Sequence, residues 1–263
     1  MSAAPSTLIR ASMHDEVWHI TLARPQQRNA LTPEMIGDLL TALRGTPAQA
    51  RVVLLDGEGK VFCAGFDLER CQGEAGINVV KQLLIGLHEC VQMMAHLMIP
   101  VVVCVQGAAI AGGCALITEA DAVISHSEAQ FGYPAARLGL SPAVSAPTLA
   151  QHIGMGPART LQLDGGLVSG SRALEVNLVT HLTDREAISA LGLSVAQGFA
   201  NKPREATRST RQLVQSLAPM LSSKSGMGRG ALEASLAGAG TPEQLTLLAQ
   251  AWAATRPKPS QNI

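Results

Sequence analysis

Aromatic residues are scarce in this sequence: 3% of 263 residues, as four Phe, two Trp and a single Tyr. Stacking platforms for nucleobases need several rings on one surface, so that mode of binding is excluded. Net charge is equally lacking. Twenty Lys and Arg balance twenty Asp and Glu, and no run of five basic residues occurs. A nucleic-acid partner therefore has no basic stripe to bind, and any anionic ligand must be met by local groups. The five cysteines (Cys63, Cys71, Cys90, Cys104 and Cys114) are odd in number and widely spaced, with no CxxC pair. Zinc and redox motifs are not expected; buried free thiols in a reducing compartment are. The N-terminal stretch MSAAPSTLIRAS lacks the basic start and apolar core of a secretory leader. The expectation is a cytoplasmic protein with no metal site and no permanently bound cofactor.

What the sequence has in quantity is apolar residues, 47% of the chain, enough for one large core or a core with an appendage. LMIPVVVCVQGAAIAGGCALI, residues 97–117, is long enough to span a bilayer. Pro100, Gly107, Gly112 and Gly113 punctuate it, so a buried strand, a turn and a buried helix are expected and a membrane partner is not. Strands at 16–23, 50–59 and 121–127 alternate with helices from Thr32 to Arg44, over 78–97 and through AGGCALITEA. Such alternation with short links predicts an α/β layered fold with parallel pairing. Near residue 200 the composition changes. Residues 1–200 read as the α/β core and 201–263 as helices, over about 203–217, 228–238 and 242–255, the last capped by Thr241 with Pro242 in its first turn. That tail is expected to make an oligomer contact.

Two glycine loops carry candidate chemistry. In FCAGFDL (62–68), Gly65 permits an unusual backbone angle after a strand, so that the N–H of Phe66 can turn into a cleft. In AIAGGCA (109–115), Gly112 and Gly113 open a helix whose first N–H groups have no intrahelical partner. Two such donors converging on one oxygen form an oxyanion hole.

These loops, with RPQQRNAL (24–31), IPVVVCVQGAAIAGGCAL (99–116), AQFGYPAARLGLSP (129–142) and LDGGLVSGSRALEVNLV (163–179), resemble the enoyl-CoA hydratase/isomerase, or crotonase, superfamily in order and spacing. The resemblance implies a spiral of ββα units, a C-terminal helical trimerisation region and an acyl-CoA thioester ligand. It also implies a homotrimer or a dimer of trimers. The implied enolate is stabilised by the backbone of Phe66 and Gly112, and coenzyme A arrives only as part of the substrate. Arg28, Ala30, Ala64, Phe66, Asp67, Leu68 and Gly112 correspond to the wall around it. Arg24 and Arg28 are candidates for its phosphates, and Arg256 and Lys258 for a phosphate on a neighbouring subunit.

The resemblance also exposes a gap. Hydratases of the family place glutamates where this chain has Ala115 and, after Pro134, Ala135. Hydration needs a base for the water and an acid for the α-carbon, and alanine is neither. The candidate replacements are Glu119, one helical turn beyond Ala115, the lone Tyr133, Lys81 in the helix after the first loop, and His88 and His96. Asp67 and Asp121 read as loop or strand-start supports. Arg137 and SPAVSAP (141–147), with Ser141 and Ser145, stand where the family has a glycine-rich run, and no role follows for them. Decarboxylation or isomerisation is favoured over hydration. The alternative is a non-catalytic acyl-CoA binder, or the inactive subunit of a hetero-oligomer.

Overall fold

The computed structural model describes residues 8–216 and 227–255. A hairpin of β1 (Ile9–His14) and β2 (Val17–Leu22) comes first, turned by Asp15 at φ 53°. Hydropathy does not announce β1, because it is an edge strand whose only buried residue is Ile9. From β2 a path then repeats: a strand in the main sheet, a short segment in a second layer, and a helix. α1 (Pro33–Arg44) follows β2, and β3 (Val52–Gly57) leads to α2 (Gly73–His96). β4 (Val101–Cys104) and β5 (Ala108–Ile110) lead to α3 (Gly112–Leu116). β6 (Ala122–Ser125) and β7 (Gln130–Gly132) lead to α4 (Ala146–Ile153) and α5 (Met155–Asp164). β8 (Leu167–Ser169), α6 (Gly170–Glu175), β9 (His181–Leu182) and α7 (Ile188–Ala200) follow. The described tail is α8 (Arg204–Ser216), α9 (Met227–Gly238) and α10 (Pro242–Thr255).

The main sheet runs β1-β2-β3-β4-β6-β9 and is parallel beyond the first hairpin. The second layer, β5-β7-β8, is extended by parallel bridges Cys63↔Ala109 and Leu31↔Phe66. This is a spiral of ββα units. Strands of a parallel sheet are covered on both faces, which is why VVLL in β3 is apolar without alternation. Val53 and Leu55 join Leu39 of α1 and Leu83 of α2 on one face. Val52 and Leu54 join Ile188 and Ala196 of α7 on the other. A Cβ on Gly192 would lie 2.1 Å from Cys104 Sγ, so that glycine sets how closely α7 approaches.

The apolar run 97–117 divides among β4, β5 and α3, and among the described residues no helix is long and apolar enough to cross a membrane. α1 starts as its sequence dictates, with Thr32 Oγ1 accepting from Met35 N at 3.2 Å and Pro33 in the first turn. α2 begins at Gly73 rather than Asn78. Gly73 and Gly76 weaken the local helix signal, yet Gly76 is required by packing, since a Cβ there would lie 2.3 Å from the Cys71 carbonyl. α3 is shorter than AGGCALITEA suggests and ends at Leu116.

The tail is anchored from within. Arg211 of α8 donates to Leu97 O (2.7 Å) and Met94 O (3.0 Å), capping the C-terminus of α2. It also pairs with Asp121, whose carboxylate accepts from Val101 N at 2.7 Å and so holds the start of β4.

Candidate functional site

A cavity of about 690 Å³ opens between the second strand layer, α2 and the helical tail. Its polar rim comes from the loop 24–31, folded tightly by two residues at positive φ, Arg28 (53°) and Asn29 (52°). Asn29 is fully buried and is the lock of that loop. Its Oδ1 accepts from Arg24 N, and its Nδ2 donates to Glu58 O and Val61 O. Ala64 N donates to Arg28 O at 3.1 Å, joining this loop to FCAGFDL.

The two glycine loops meet at the cavity wall. Leu31 N donates to Gly65 O and Asp67 N donates to Leu31 O, so the alternation of an extended strand turns the N–H of Phe66 to the opposite side. Gly65 has φ 87°, and a Cβ there would lie 3.0 Å from Ile110 O. Gly112 is the first residue of α3, with its N–H ahead of the intrahelical ladder. A Cβ on Gly112 would stand 3.2 Å from the Phe66 ring, and one on Gly113 would stand 2.6 Å from Cys63 O. Only glycine lets the two loops approach this closely. Before them Ala111 adopts φ 47°, ψ −104°, an unusual conformation for a residue with a side chain. It is held by Ala111 N→Gly132 O (2.8 Å) and Ala115 N→Ala111 O (2.9 Å).

Arg28, Ala30, Ala64, Phe66, Asp67, Leu68, Gly112 and Tyr133 all line this cavity, as do Ala115 and Ala135. Arg24 lines it too, but its charge is committed: it pairs with Asp67 at 2.8 Å and donates to Ala30 O. Arg28 is exposed at the rim and, among the described residues, makes no ion pair. Of the remaining cations, Arg137 lines the same cavity. Arg256 and Lys258 lie outside the described residues.

Glu119 is elsewhere. Because α3 stops at Leu116, the four-residue spacing from Ala115 no longer stacks the two side chains. Thr118 Oγ1 donates back to Ala115 O at 2.8 Å, and Glu119 turns into a second cavity of about 700 Å³ beside Asp121, His152 and Arg211. Burial there pushes its carboxyl up to about 8, against the opposing pull of Arg211. Lys81 is not at the cavity either. Val80, Leu84 and Leu87 of α2 face it, and Lys81, about 100° further round the helix, is exposed. His88 and His96 also lie away from the lining, and His96 Nδ1 contacts Gln92 O.

The inner wall of the cavity, around Ala115, Tyr133, Leu140 and Val144, is apolar apart from hydroxyls. Tyr133 is 1% exposed, and burial raises its hydroxyl well above the ordinary phenol value. Burial also pushes Cys63, Cys71 and Cys114 to about 12, so none is a thiolate near neutral pH. Sequence reasoning missed the roof. Leu248, Ala251 and Trp252 of α10 line the cavity, although TPEQ had signalled only where that helix starts.

Fold and cavity together define a class, ββα-spiral proteins whose cleft is walled by two glycine loops and roofed by a helical tail. The family model for enoyl-CoA hydratase/isomerase matches residues 12–231, and the chain belongs to that family of lyases and isomerases. A Thermus thermophilus protein provisionally designated an enoyl-CoA hydratase is 31% identical over 206 residues, 76% of this chain and 81% of that one. A solved enoyl-CoA hydratase/isomerase from Mycobacterium paratuberculosis matches with a TM-score of 0.84 at 25% identity, covering 93% of this chain and 98% of that one. One from Xanthobacter autotrophicus Py2 gives 0.81 at 26%, covering 97% and 100%.

Proposed function

We propose that the protein acts on an acyl-CoA thioester, stabilises its enolate with the N–H groups of Phe66 and Gly112, and decarboxylates rather than hydrates. The observation that carries this reading is the cavity wall itself. Ala115 and Ala135 line the cavity with the two glycine loops, where the sequence resemblance puts the family's glutamates, and no carboxylate among the described residues replaces them on the apolar wall. Asp67 is held by Arg24, and Glu69 belongs to the rim. Departure of carbon dioxide leaves the electron pair on the α-carbon and needs no base, so an oxyanion grip alone suffices. Isomerisation, which needs one base, is the weaker branch because Glu119 lines the other cavity. Coenzyme A enters as part of the substrate, with Arg28 at its phosphates. Leu213 and Val214 of α8, 60% and 56% exposed, support assembly of the tail into a homotrimer or dimer of trimers.

The test is mass spectrometry of saturated, enoyl, malonyl-type and glutaconyl-type CoA thioesters incubated with the protein in heavy water. Loss of carbon dioxide with one deuterium gained at the α-carbon is expected. Binding across the panel without exchange or turnover would leave a non-catalytic acyl-CoA binder. Absence of binding would sink the acyl-CoA assignment altogether.

A further inference from the structure

The first hairpin carries polar side chains that the cleft does not use. In HDEVWH (14–19), Asp15 and Glu16 form the turn, so His14 pairs with Val17 and Ser12 with His19 in the β1–β2 register. Directly paired residues of an antiparallel ladder share a face, as do residues two apart on one strand, so Ser12, His14 and His19 stand together on one side of the sheet edge. The His14 and His19 rings meet edge to face with centroids 5.9 Å apart. Each ring has one nitrogen already engaged. His19 Nε2 lies 2.8 Å from Asp56 Oδ2 on β3. A carboxylate only accepts, so Nε2 carries the proton and Nδ1 keeps the lone pair. On His14 it is again Nε2 that is engaged, by Ser12 Oγ at 2.9 Å. Among the described residues no hydrogen bond reaches either Nδ1, and neither is a buried orphan, so both are open to solvent.

We propose that His14 and His19 form a two-histidine site for a borderline divalent metal ion, zinc(II) or copper(II). Imidazole nitrogen is a ligand that such ions take readily. One nitrogen of each ring at about 2.0–2.1 Å from a shared ion sets the ring centres about 5–6 Å apart, the spacing these two rings already have. Asp56 stands as the carboxylate that receives the other N–H of a metal-bound histidine and so fixes its ring and tautomer. Local charge admits a cation, because Arg10, on the same face of β1, is paired with Glu58. No group of three or more His, Cys, Asp and Glu among the described residues is placed to hold a metal. The protein therefore supplies two ligands, and water or a small anion the rest. An ion there ties β1, whose one buried residue is Ile9, to β2 and through Asp56 to β3. The site lies outside the cleft lining and is independent of the acyl-CoA reading.

Calorimetric titration of the chelator-treated full chain with zinc(II) tests this, beside the variants His14→Gln, His19→Gln and His181→Gln. The expected result is saturable zinc uptake that weakens about tenfold or more in the first two variants. It should not change in His181→Gln, which alters an exposed histidine on β9. Every variant keeps all five cysteines, so the loss cannot come from thiols. His14 is exposed on an edge strand, so its variant should keep the metal-free melting temperature. Zinc should raise the Tm of the unaltered protein and not that of His14→Gln, because an ion that binds only the folded state stabilises it. Copper(II) as the second probe should show two nitrogen ligands by electron paramagnetic resonance, and one in either His14→Gln or His19→Gln. Equal zinc affinity in all four proteins, or no saturable uptake by the unaltered one, would overturn the site.

Discussion

Glu119 is a residue whose surroundings strongly alter its chemistry. Burial beside Asp121 raises its carboxyl to about 8, and Arg211 opposes without cancelling. The folded protein therefore holds a proton between pH 4.5 and about 8 that the unfolded chain has released. Stability falls as pH rises through that window, since the folded state binds more protons there. Glu119→Gln removes the titrating group while keeping its shape. Near pH 4 it should match the unaltered protein, and at pH 9 it should be more stable by about 5 kcal/mol, a Tm about 10–20 °C higher. Thermal melts at the two pH values check this; parallel pH dependence in both proteins would refute it. The same residue marks a limit of reading by spacing. Ala115 and Ala135 occupy the cleft as their motifs imply, because each sits in or next to a glycine or proline turn whose geometry is local. Glu119 was reached by assuming a helix that the backbone does not continue, and Thr118, bonded to Ala115 O and to Thr148 Oγ1 at 2.6 Å, is what turns the chain aside.

At the scale of elements, what was legible followed from repetition. The buried strands at β3, β4 and β6 and the capped helices α1 and α10 declare themselves through hydrophobic runs, Thr32, Thr241 and the prolines after them. β1 has one inward residue and so no alternation to read. The start of α2 is hidden by two glycines, Gly73 at φ 67° and Gly76 packed against the Cys71 carbonyl. Nor does hydropathy reveal what holds α8, because its anchor is an arginine. Arg211 is only 8% exposed, and its three contacts reach Met94, Leu97 and Asp121, elements some hundred residues earlier. Replacing it with Met keeps the apolar stem and deletes every one of those bonds, leaving Asp121 with only its backbone donor. Arg211→Met should cost about 3 kcal/mol in denaturant unfolding. It should also raise amide exchange in α8 and the last turn of α2 ahead of the central strands. Protection unchanged in α8 would mean that the helix is held by its apolar face instead.

For the whole molecule, the composition change near residue 200 announces a helical tail and suggests an assembly role, but nothing in the sequence says that the tail closes the cleft. That relation is non-local. Gln72 Nε2 donates to Leu248 O at 3.3 Å, and Gly139 packs where a Cβ would lie 2.9 Å from Gln244 Cα, so α10 rests on the start of α2 and on the 3-10 turn Pro134–Leu138. Both supports border the site, and α10 carries Trp252 onto its wall. The other tryptophan, Trp18, donates Nε1–H to Ala42 O in the first spiral turn and does not line the cleft. With two tryptophans in the chain, fluorescence can separate the two ends of the molecule. An acyl-CoA titration should change the emission, Trp18→Phe should keep that change, and Trp252→Phe should lose it. Trp252→Ala should in addition weaken binding by about tenfold or more, because a half-buried indole supplies apolar area that alanine cannot replace. A signal that survives in Trp252→Phe, or an affinity unmoved in Trp252→Ala, would mean that α10 does not cover the bound thioester. The tail would then serve assembly alone, as the sequence by itself suggests.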